Sequence, residues 1–457
     1  MNRYHPERIR RMRRDIRAQI VEAILDDFDG ALMELPSEDR AVKYAKMRES
    51  AFRFFRGSAY LFYFDVAHIP FPYHTPMDKP TWIQGDLHFE NFGAFQSRDG
   101  RIVYDINDFD EGYLGSYLYD LLRMSVSVAL VCESLGYDDE LTAEAIESYL
   151  KAYYKQIRRF SERKDDMVAM RFASDNTAGP IRKLLRKLEK KRRSEFLDEV
   201  TERTESAIRR FVQSSELAPA EPEERSRLHA AWDGYVATLD PSAKREAAFY
   251  AVKDVAVKHG SGTASLGLDR YYVLIEGHRD PAAGDDIILE VKEVRAPVPA
   301  YFVPYHERFW ALYEHHGQRV AATQRAMQHE ADPFLGWLTI DDRHFYVRER
   351  SPFKKRLKAD KIGAHDDLIT TLKQMGRITA KIHSRADNDL REGEGIIDYH
   401  AEHEIWAAMG SDPNAFAATI AAWSIGYRSQ VHEDYDIFKE LSARRYPEVV
   451  QTEAPPL

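Results

Sequence analysis

The chain has 457 residues, of which 44% are hydrophobic and 31% are charged, the composition of an ordinary globular protein of two or three domains. Its formal net charge of −10 argues against a general nucleic-acid binder, and its single cysteine, Cys132, excludes an intramolecular disulfide. No apolar run is long enough to cross a bilayer, and the arginine-rich N-terminus lacks the apolar segment of a secretory signal, so we expect a cytoplasmic protein without a membrane partner.

Residues 1–45 have isoleucines spaced for one apolar face, which predicts a helix. Residues 46–67 are dense in aromatic side chains around Arg56 and predict a buried helix. Because an unpaired buried charge is costly, Arg56 needs an anionic partner. The sequence is equally consistent with a structural carboxylate and with a bound phosphate as the partner of Arg56.

The segment most suggestive of chemistry is residues 84–92. A short apolar strand ends at Gly85, Asp86 follows, and Asn91 comes five positions later. A second apolar strand, residues 102–106, leads into the acidic segment 107–111. Carboxylates at two neighbouring strand ends, with an amide between them, can hold a divalent metal and orient a hydroxyl for phosphoryl transfer.

In this interpretation Asp86 accepts or orients the proton of an attacking hydroxyl, and Asn91 and Asp108 bind Mg²⁺, which prefers oxygen ligands. The chemistry alone leaves Asp105, Asp110 and Glu111 as competitors of Asp108 for the metal. An apolar helix is predicted from Leu114 to Leu135, and Asp120 within it is expected to accept hydrogen bonds.

Residues 136–240 are predicted to be mainly helical and charged. A basic run at 182–193 could contact a nucleic acid or a membrane surface. Acidic residues follow directly, so an exposed structural helix is the better interpretation, and no nucleic-acid partner is expected.

A glycine-rich turn between strands is predicted at residues 260–267. Its free backbone N–H groups could approach a phosphate, which makes a small set of its residues candidate nucleotide contacts: Gly260, Gly262, Ser265 and Gly267. The strand at 287–294 carries Lys292, which could reach the α- and β-phosphates of ATP.

A helix is predicted from about Tyr305 to Glu330, followed by a strand pair at 338–348. The helix should provide an acidic partner for Lys292, and Glu314 is the candidate by position. Several residues are alternatives: Glu307, Gln318, Gln324 and Glu330. Residues 365–384 and most of the remaining chain are predicted to be helical.

The segment Gly85-Asp86-Leu87-His88-Phe89-Glu90-Asn91 resembles the catalytic loop of aminoglycoside phosphotransferases and choline-kinase-like enzymes. In that superfamily the metal-binding aspartate stands about a dozen residues before an aspartate-leucine pair. The resemblance therefore selects Asp108 as metal ligand and gives His88, Asp110 and Asp120 supporting roles, with ATP and Mg²⁺ as cofactors.

More specifically, the chain resembles the bacterial domain-of-unknown-function 2252 family. The matching pieces are spread from about residue 50 to 390: 54–57, 85–93, 107–111, 262–267, 291–293 and 317–320. This family implies no particular substrate.

In ordinary kinases the glycine loop and lysine precede the catalytic loop, whereas here they follow it in the chain. We therefore expect an α+β, two-lobed, protein-kinase-like fold that is circularly permuted and carries extra helices. The large helical lobe would be residues 1–244, the small nucleotide-clamp lobe 245–356, and the returning helices 357–457. The competing arrangement places a reduced small lobe at residues 46–80.

The predicted function is ATP- and Mg²⁺-dependent phosphoryl transfer to a hydroxyl of a small molecule or protein. The alternatives are AMP transfer on the same fold, slow ATP hydrolysis, and a nucleotide-binding pseudokinase that acts as a sensor or scaffold. In the segment His400-x-x-His403-Glu404 the two histidines could bind zinc from one helix, but no third ligand is indicated, so a surface helix is the better interpretation. The oligomeric state is left open.

Overall fold

A computed structural model describes residues 6–204, 209–259, 267–277, 286–387 and 396–447. The chain is α+β, as the sequence predicts. Its helices are α1 (Pro6–Leu25), α2 (Ser37–Met47), α3 (Ala51–Gly57), α4 (Ala59–Val66), α5 (Leu118–Ser134), α6 (Asp139–Ser161), α7 (Gly179–Leu188), α8 (Arg193–Val200), α9 (Pro222–Ala237), α10 (Glu307–Leu312), α11 (His316–Met327), α12 (His365–Arg385), α13 (Ala401–Met409) and α14 (Pro413–Arg445). Its strands are β1 (Thr81–Ile83), β2 (Phe92–Gln96), β3 (Ile102–Ile106), β4 (Tyr113–Gly115), β5 (Thr201–Arg203), β6 (Arg209–Phe211), β7 (Leu217–Pro219), β8 (Val252–Lys258), β9 (Arg270–Ile275), β10 (Ile287–Glu293), β11 (Gly336–Ile340), β12 (Arg343–Glu349) and β13 (Lys355–Arg356).

The helical part is built around α5. Every residue of this helix from Leu118 to Cys132 is buried, and α3, α6 and α14 pack around it. A helix that is apolar on all sides is stable only when it is enclosed in this way. Helix α12 packs on α6 and completes the core. Among the described residues no helix is both long enough and apolar enough to span a membrane.

The second part is a six-stranded antiparallel sheet in the order β11-β12-β10-β9-β8-β7. Side chains alternate between its faces with a period of two. On β10, Ile287, Leu289 and Val291 share an apolar core with Trp232 of α9. Glu290 and Lys292 therefore project from the opposite face, which is the face turned toward the helical part.

The sheet begins earlier in the chain than predicted. Strand β7 is hydrogen-bonded to β8, and Leu228 and Trp232 of α9 are buried against the sheet. The sheet therefore includes residues that precede the predicted boundary at 245. Strand β7 has only three residues and contains a proline, so it gives no strand signal in sequence. Helix α9 is too polar in sequence to reveal which core it joins.

Two predicted helices are broken in the structure. The aromatic segment 46–67 forms α3 and α4, which meet at Ser58, where φ is −129° and ψ is 46°. The helix predicted from 305 to 330 is divided into α10 and α11 by residues 313–315. Apolar spacing continues across both breaks, and for this reason the sequence pattern did not show them.

Two smaller sheets present the acidic loops. Strands β1 and β4 pair antiparallel, and β2 pairs with both β3 and β13. The segment 84–91 connects β1 to β2, and the segment 107–112 connects β3 to β4. Because both pairs are antiparallel, these two loops lie side by side.

Candidate functional site between the helical part and the sheet

Gly85 opens the first loop in a conformation that suits glycine. Its φ is +86°, and its carbonyl oxygen accepts a hydrogen bond from the Tyr63 hydroxyl at 2.7 Å. A Cβ atom at this position would overlap the backbone carbonyl oxygen of Glu111 in the second loop. Glycine therefore allows the two loops to touch.

Asp120 fixes the backbone of the first loop. Its carboxylate accepts hydrogen bonds from the N–H groups of Gln84 at 2.7 Å and Gly85 at 2.9 Å. Nε2 of His383 lies 3.1 Å from the same carboxylate, and Nδ1 of His383 lies 2.9 Å from the Tyr153 hydroxyl. Asp120 and His383 are fully buried, so helices α5, α6 and α12 jointly hold the loop in place.

We expect Gly85→Ala to destabilise the protein and to separate the two loops. A left-handed backbone costs about 1–2 kcal/mol for a residue with a Cβ atom, and overpacking typically adds about 1–3 kcal/mol. Gly100→Ala is a matched control, because Gly100 has φ +83° but nothing lies within 4 Å of its added Cβ. Denaturant unfolding of both variants measures the difference. Equal losses of stability would show that the loops do not touch at Gly85.

Asp86 projects from the first loop and forms an ion pair with Arg123, a buried residue of α5. Arg123 also donates to the carbonyl oxygen of Phe55 at 3.1 Å. Burial raises the pKa of Asp86, while the Arg123 guanidinium acts in the opposite direction. Sequence analysis missed Arg123, although an arginine inside a mainly apolar helix signals a buried carboxylate partner.

Asn91 connects the two loops and offers an oxygen to the cleft. Its side-chain amide donates to the carbonyl oxygen of Asp86 at 2.8 Å, and its backbone carbonyl accepts from the N–H of Asn107 at 2.8 Å. Gln84 adds a second link, because its amide donates to the carbonyl oxygen of Asp108 at 2.9 Å. With the Asn91 amide nitrogen engaged in this way, its side-chain oxygen is the atom left to bind a ligand.

Asp108 and Asp110 carry the strongest indication of a cation site. Oδ1 of each is buried, and within the described part of the chain neither atom has a hydrogen-bond partner. Buried carboxylate oxygens without partners are costly and rare in folded proteins. Together with the Asn91 oxygen they make a set of hard ligands of the kind that Mg²⁺ prefers, so the residues present fit this ion.

Lys292 reaches the second loop from the sheet. Its ammonium pairs with Oδ2 of Asp110, and this contact lowers the pKa of Asp110 although burial acts in the opposite direction. On β10, Lys292 lies opposite Tyr346 of β12 and Arg270 of β9.

Glu314, the predicted partner of Lys292, lies elsewhere. It is exposed in the connection between α10 and α11, near His344. The break in the predicted helix places it there. The partner of Lys292 in the structure is Asp110. The alternative partners are therefore not used either: Glu307, Gln318, Gln324 and Glu330.

Three histidines near Glu314 predict a stability that depends on pH. His315 and His344 stack at 4.0 Å, and the N–H of His316 donates to His344 at 3.1 Å. Burial and the neighbouring rings lower the pKa of His315 to about 4, and burial and Arg319 lower that of His316 to about 3.

The folded state therefore holds neutral imidazoles, whereas the unfolded chain binds protons below its pKa of about 6.5. We expect the free energy of unfolding to fall as the pH drops from 6.5 toward 4. Denaturant midpoints across this range measure the effect, with His344→Gln as the variant that removes one ring. A slope that is unchanged in this variant would exclude the cluster as its cause.

Arg56 lies at the edge of the same site. It pairs with Glu90 at 2.5 Å, and Arg356 lies 3.1 Å from the same carboxylate. The structure thus supplies the carboxylate partner considered in the sequence analysis. His88 lies beside them with Nε2 at 3.1 Å from Nε of Arg56, and burial together with the nearby arginines holds its pKa well below the ordinary value.

Of the predicted glycine-rich turn, Gly260, Gly262 and Ser265 lie outside the described residues. Gly267 is described with φ +79°, and a Cβ atom there would overlap the side chain of Leu35. Its conformation and this close packing account for glycine at position 267, and its predicted contact with a nucleotide stays a prediction.

A cavity of about 420 Å³ opens between the sheet and the two loops. Asn91, Asn107 and Asp108 border it on the loop side. On the sheet side it is bordered by Lys258 of β8, Arg270 and Tyr272 of β9, Glu290 of β10 and Arg348 of β12. The cleft therefore brings the loop residues Asn91 and Asp108 together with a highly charged sheet face.

The possible metal ligands around His400 in the structure differ from the predicted ones. Asp387, His400 and Glu402 can place one ligand atom each within 4.8 Å of one another. The Asp387 carboxylate accepts from the N–H of Ala401 at 2.6 Å, at the N-terminus of α13. None of these three residues is among those that border the cleft.

Fold and site together define an α+β protein with a highly charged cleft between a helical part and an antiparallel sheet. The chain belongs to the family described as "Uncharacterized protein conserved in bacteria (DUF2252)", whose model matches residues 37–441. The resemblance to this family is thereby confirmed. No curated protein and no solved structure matches the chain.

Proposed function

We propose that the protein is an ATP- and Mg²⁺-dependent phosphotransferase that acts on a hydroxyl group. The observation that carries the proposal is the pair of buried, unpartnered oxygens on Asp108 and Asp110, beside Asn91 and Lys292. Phosphoryl transfer needs mainly positioning and charge neutralisation, which these residues can provide. When bound, Mg²⁺ would neutralise phosphate charge at Asp108 and Asn91.

The residues of this chain would divide the work as follows. Asp86, which the Arg123 ion pair orients, would position the acceptor hydroxyl and take its proton. Lys292 would exchange its contact with Asp110 for a phosphate oxygen of ATP. Asp120 would keep the loop backbone in place for both steps.

The position of Lys292 supports a circularly permuted, kinase-like arrangement. The sheet that carries Lys292 follows the loop of Asp86 in the chain, yet Lys292 reaches the segment of Asp108 and Asp110. The competing arrangement lacks support, because residues 46–80, all of them described, contain α3 and α4 but no strand.

Adenylyl transfer with ATP bound in reverse is the second candidate. It is favoured by the cations on the sheet side of the cavity, which could hold a triphosphate away from Asp108. A pseudokinase scaffold has less support, since a scaffold needs neither Asp86 nor the unpartnered oxygens.

The proposal is tested by titrating the full chain with ATP, with and without Mg²⁺. We expect binding that depends on Mg²⁺. Mass spectrometry of the products after incubation with ATP and candidate hydroxyl compounds would then distinguish transfer of a phosphate from transfer of AMP. If the protein binds no nucleotide under either condition, the proposal is wrong.

A further inference from the structure

The lining of the cavity carries an excess of positive charge. Seven cationic residues border it, and we call them the cationic wall: Arg56, Lys258, Arg270, Arg348, Arg350, Lys354 and Arg356. Four carboxylates border the same cavity: Glu90, Asp108, Glu216 and Glu290. Of the described residues that line it, Tyr272 is the single aromatic one and none is aliphatic, so the space suits a charged ligand better than an apolar one.

The carboxylates are too few to pair with the wall. Glu90 is shared by Arg56 and Arg356. Glu290 is likewise shared by Arg348 at 2.6 Å and Arg270 at 3.3 Å, and these contacts hold its pKa well below the ordinary value although burial acts in the opposite direction.

Two cations of the wall lack any such partner. Within the described residues, Arg350 and Lys354 form no ion pair, and Arg350 instead donates to the Tyr272 hydroxyl at 3.1 Å. Burial and the nearby Arg348 lower the pKa of Lys354 to about 7, as expected where cations outnumber anions.

The wall extends beyond the Lys292–Asp110 contact, although Arg270 lies opposite Lys292 on the neighbouring strand. Glu290, which holds Arg348 and Arg270, precedes Lys292 by one two-residue step of β10, about 7 Å along the strand. Arg350 lies further in the same direction, since its N–H donates to the carbonyl oxygen of Ile288 at 2.8 Å. The cavity joins the two places, because Asp108 and Arg350 both line it.

We propose that the cationic wall binds a phosphate group other than the one held at Asp108, so that the cleft takes a ligand or substrate that carries phosphate at both ends of the cavity. The guanidinium groups of Arg348 and Arg350 can bind phosphate oxygens in pairs, and Lys354 adds a point charge. This proposal rests on the phosphotransferase function. The phosphate has two possible sources: an acceptor that is already phosphorylated, or the triphosphate of an ATP molecule bound in reverse.

The test uses the full chain and inorganic tripolyphosphate, in EDTA and without nucleotide. Isothermal titration should show binding that is at least tenfold weaker in the Arg350→Gln/Lys354→Gln double variant. Lys361→Gln is the matched control, because Lys361 is exposed and lies outside the cavity, and it should bind like the wild type. Thermal melts check folding, and Lys354→Arg should retain the affinity.

Absence of tripolyphosphate binding to the wild type, or equal affinity in the double variant, would overturn the proposal. The result is independent of catalysis, since no metal or nucleotide is present. A protein that binds tripolyphosphate but never turns over ATP would contradict the phosphotransferase function and leave the anion site standing.

A second titration identifies which molecule supplies the phosphate bound at the wall. If tripolyphosphate still binds when a non-hydrolysable ATP analogue and Mg²⁺ are saturating, the wall belongs to a phosphorylated acceptor. If the analogue displaces it and the double variant also loses affinity for ATP, the wall holds the triphosphate of the nucleotide.

Discussion

Asp86→Asn is expected to lower turnover of ATP by about a thousandfold, within the range of about 10²–10⁴ that a positioned general base contributes. An amide can accept a hydrogen bond from the acceptor hydroxyl, but it cannot take its proton. Affinity for Mg²⁺-ATP should change little, because Asp86 does not line the cavity beside Asn91 and Asp108. Steady-state kinetics and isothermal titration with the same preparations measure the two effects.

The ion pair of Asp86 requires a structural control. Asp86→Asn leaves Arg123 buried without its carboxylate, a loss that typically costs about 3–5 kcal/mol. Arg123→Gln breaks the same pair and keeps the Asp86 carboxylate, so it should lose comparable stability but much less turnover. If both folded variants lost turnover equally, Asp86 would matter through its ion pair, and its role as a base would be wrong.

The sequence predicted best what depends on neighbouring residues. The strands at 102–106 and 287–293 follow from runs of β-branched and aromatic residues, and the turn at Gly85 follows from a glycine between an apolar strand and an aspartate. The amphipathic helix predicted at 365–384 likewise appears as α12, His365–Arg385. In these segments local preference and tertiary packing agree.

Features that depend on distant pairing were not predictable in the same way. The partner of Lys292 is 182 positions away at Asp110, and the partner of Asp86 is on α5, 37 positions away. Sequence spacing suggested an acidic residue on the next helix for Lys292, but the break before His316 leaves Glu314 exposed. The local pattern shows that a charge needs a partner, and only the fold decides which one it receives.

The cationic wall likewise depends on residues that are distant in the sequence. Its members come from α3, from three strands of the sheet and from the segment 350–356. Four of them fall within residues 348–356, but the sequence does not place these beside Arg56, Lys258 and Arg270. Single arginines on strands are ordinary surface residues in sequence. Their grouping around shared carboxylates becomes visible only when β9, β10 and β12 are aligned in register.

Asp108→Asn should weaken binding of Mg²⁺-ATP by about a hundredfold or more, because loss of even an indirect metal partner typically costs about 10–100-fold in affinity. ATP binding in EDTA should change much less. Asp99→Asn is the control, since Asp99 lies in the exposed turn between β2 and β3, outside the cavity. Isothermal titration with and without Mg²⁺ gives both quantities.

The same variant separates a metal ligand from a structural aspartate. The Oδ1 atoms of Asp108 and Asp110 are buried without partners, and the charge of Asp108 also raises the pKa of Asp86. The same charge also attracts Arg348 and Lys354. These effects oppose each other, so the metal-free Asp108→Asn protein should be about as stable as the wild type. A structural aspartate would behave differently, because its loss would remove a favourable contact. A lower melting temperature in EDTA, together with an unchanged dependence of ATP binding on Mg²⁺, would show that Asp108 supports the loop and that the metal site must be sought elsewhere.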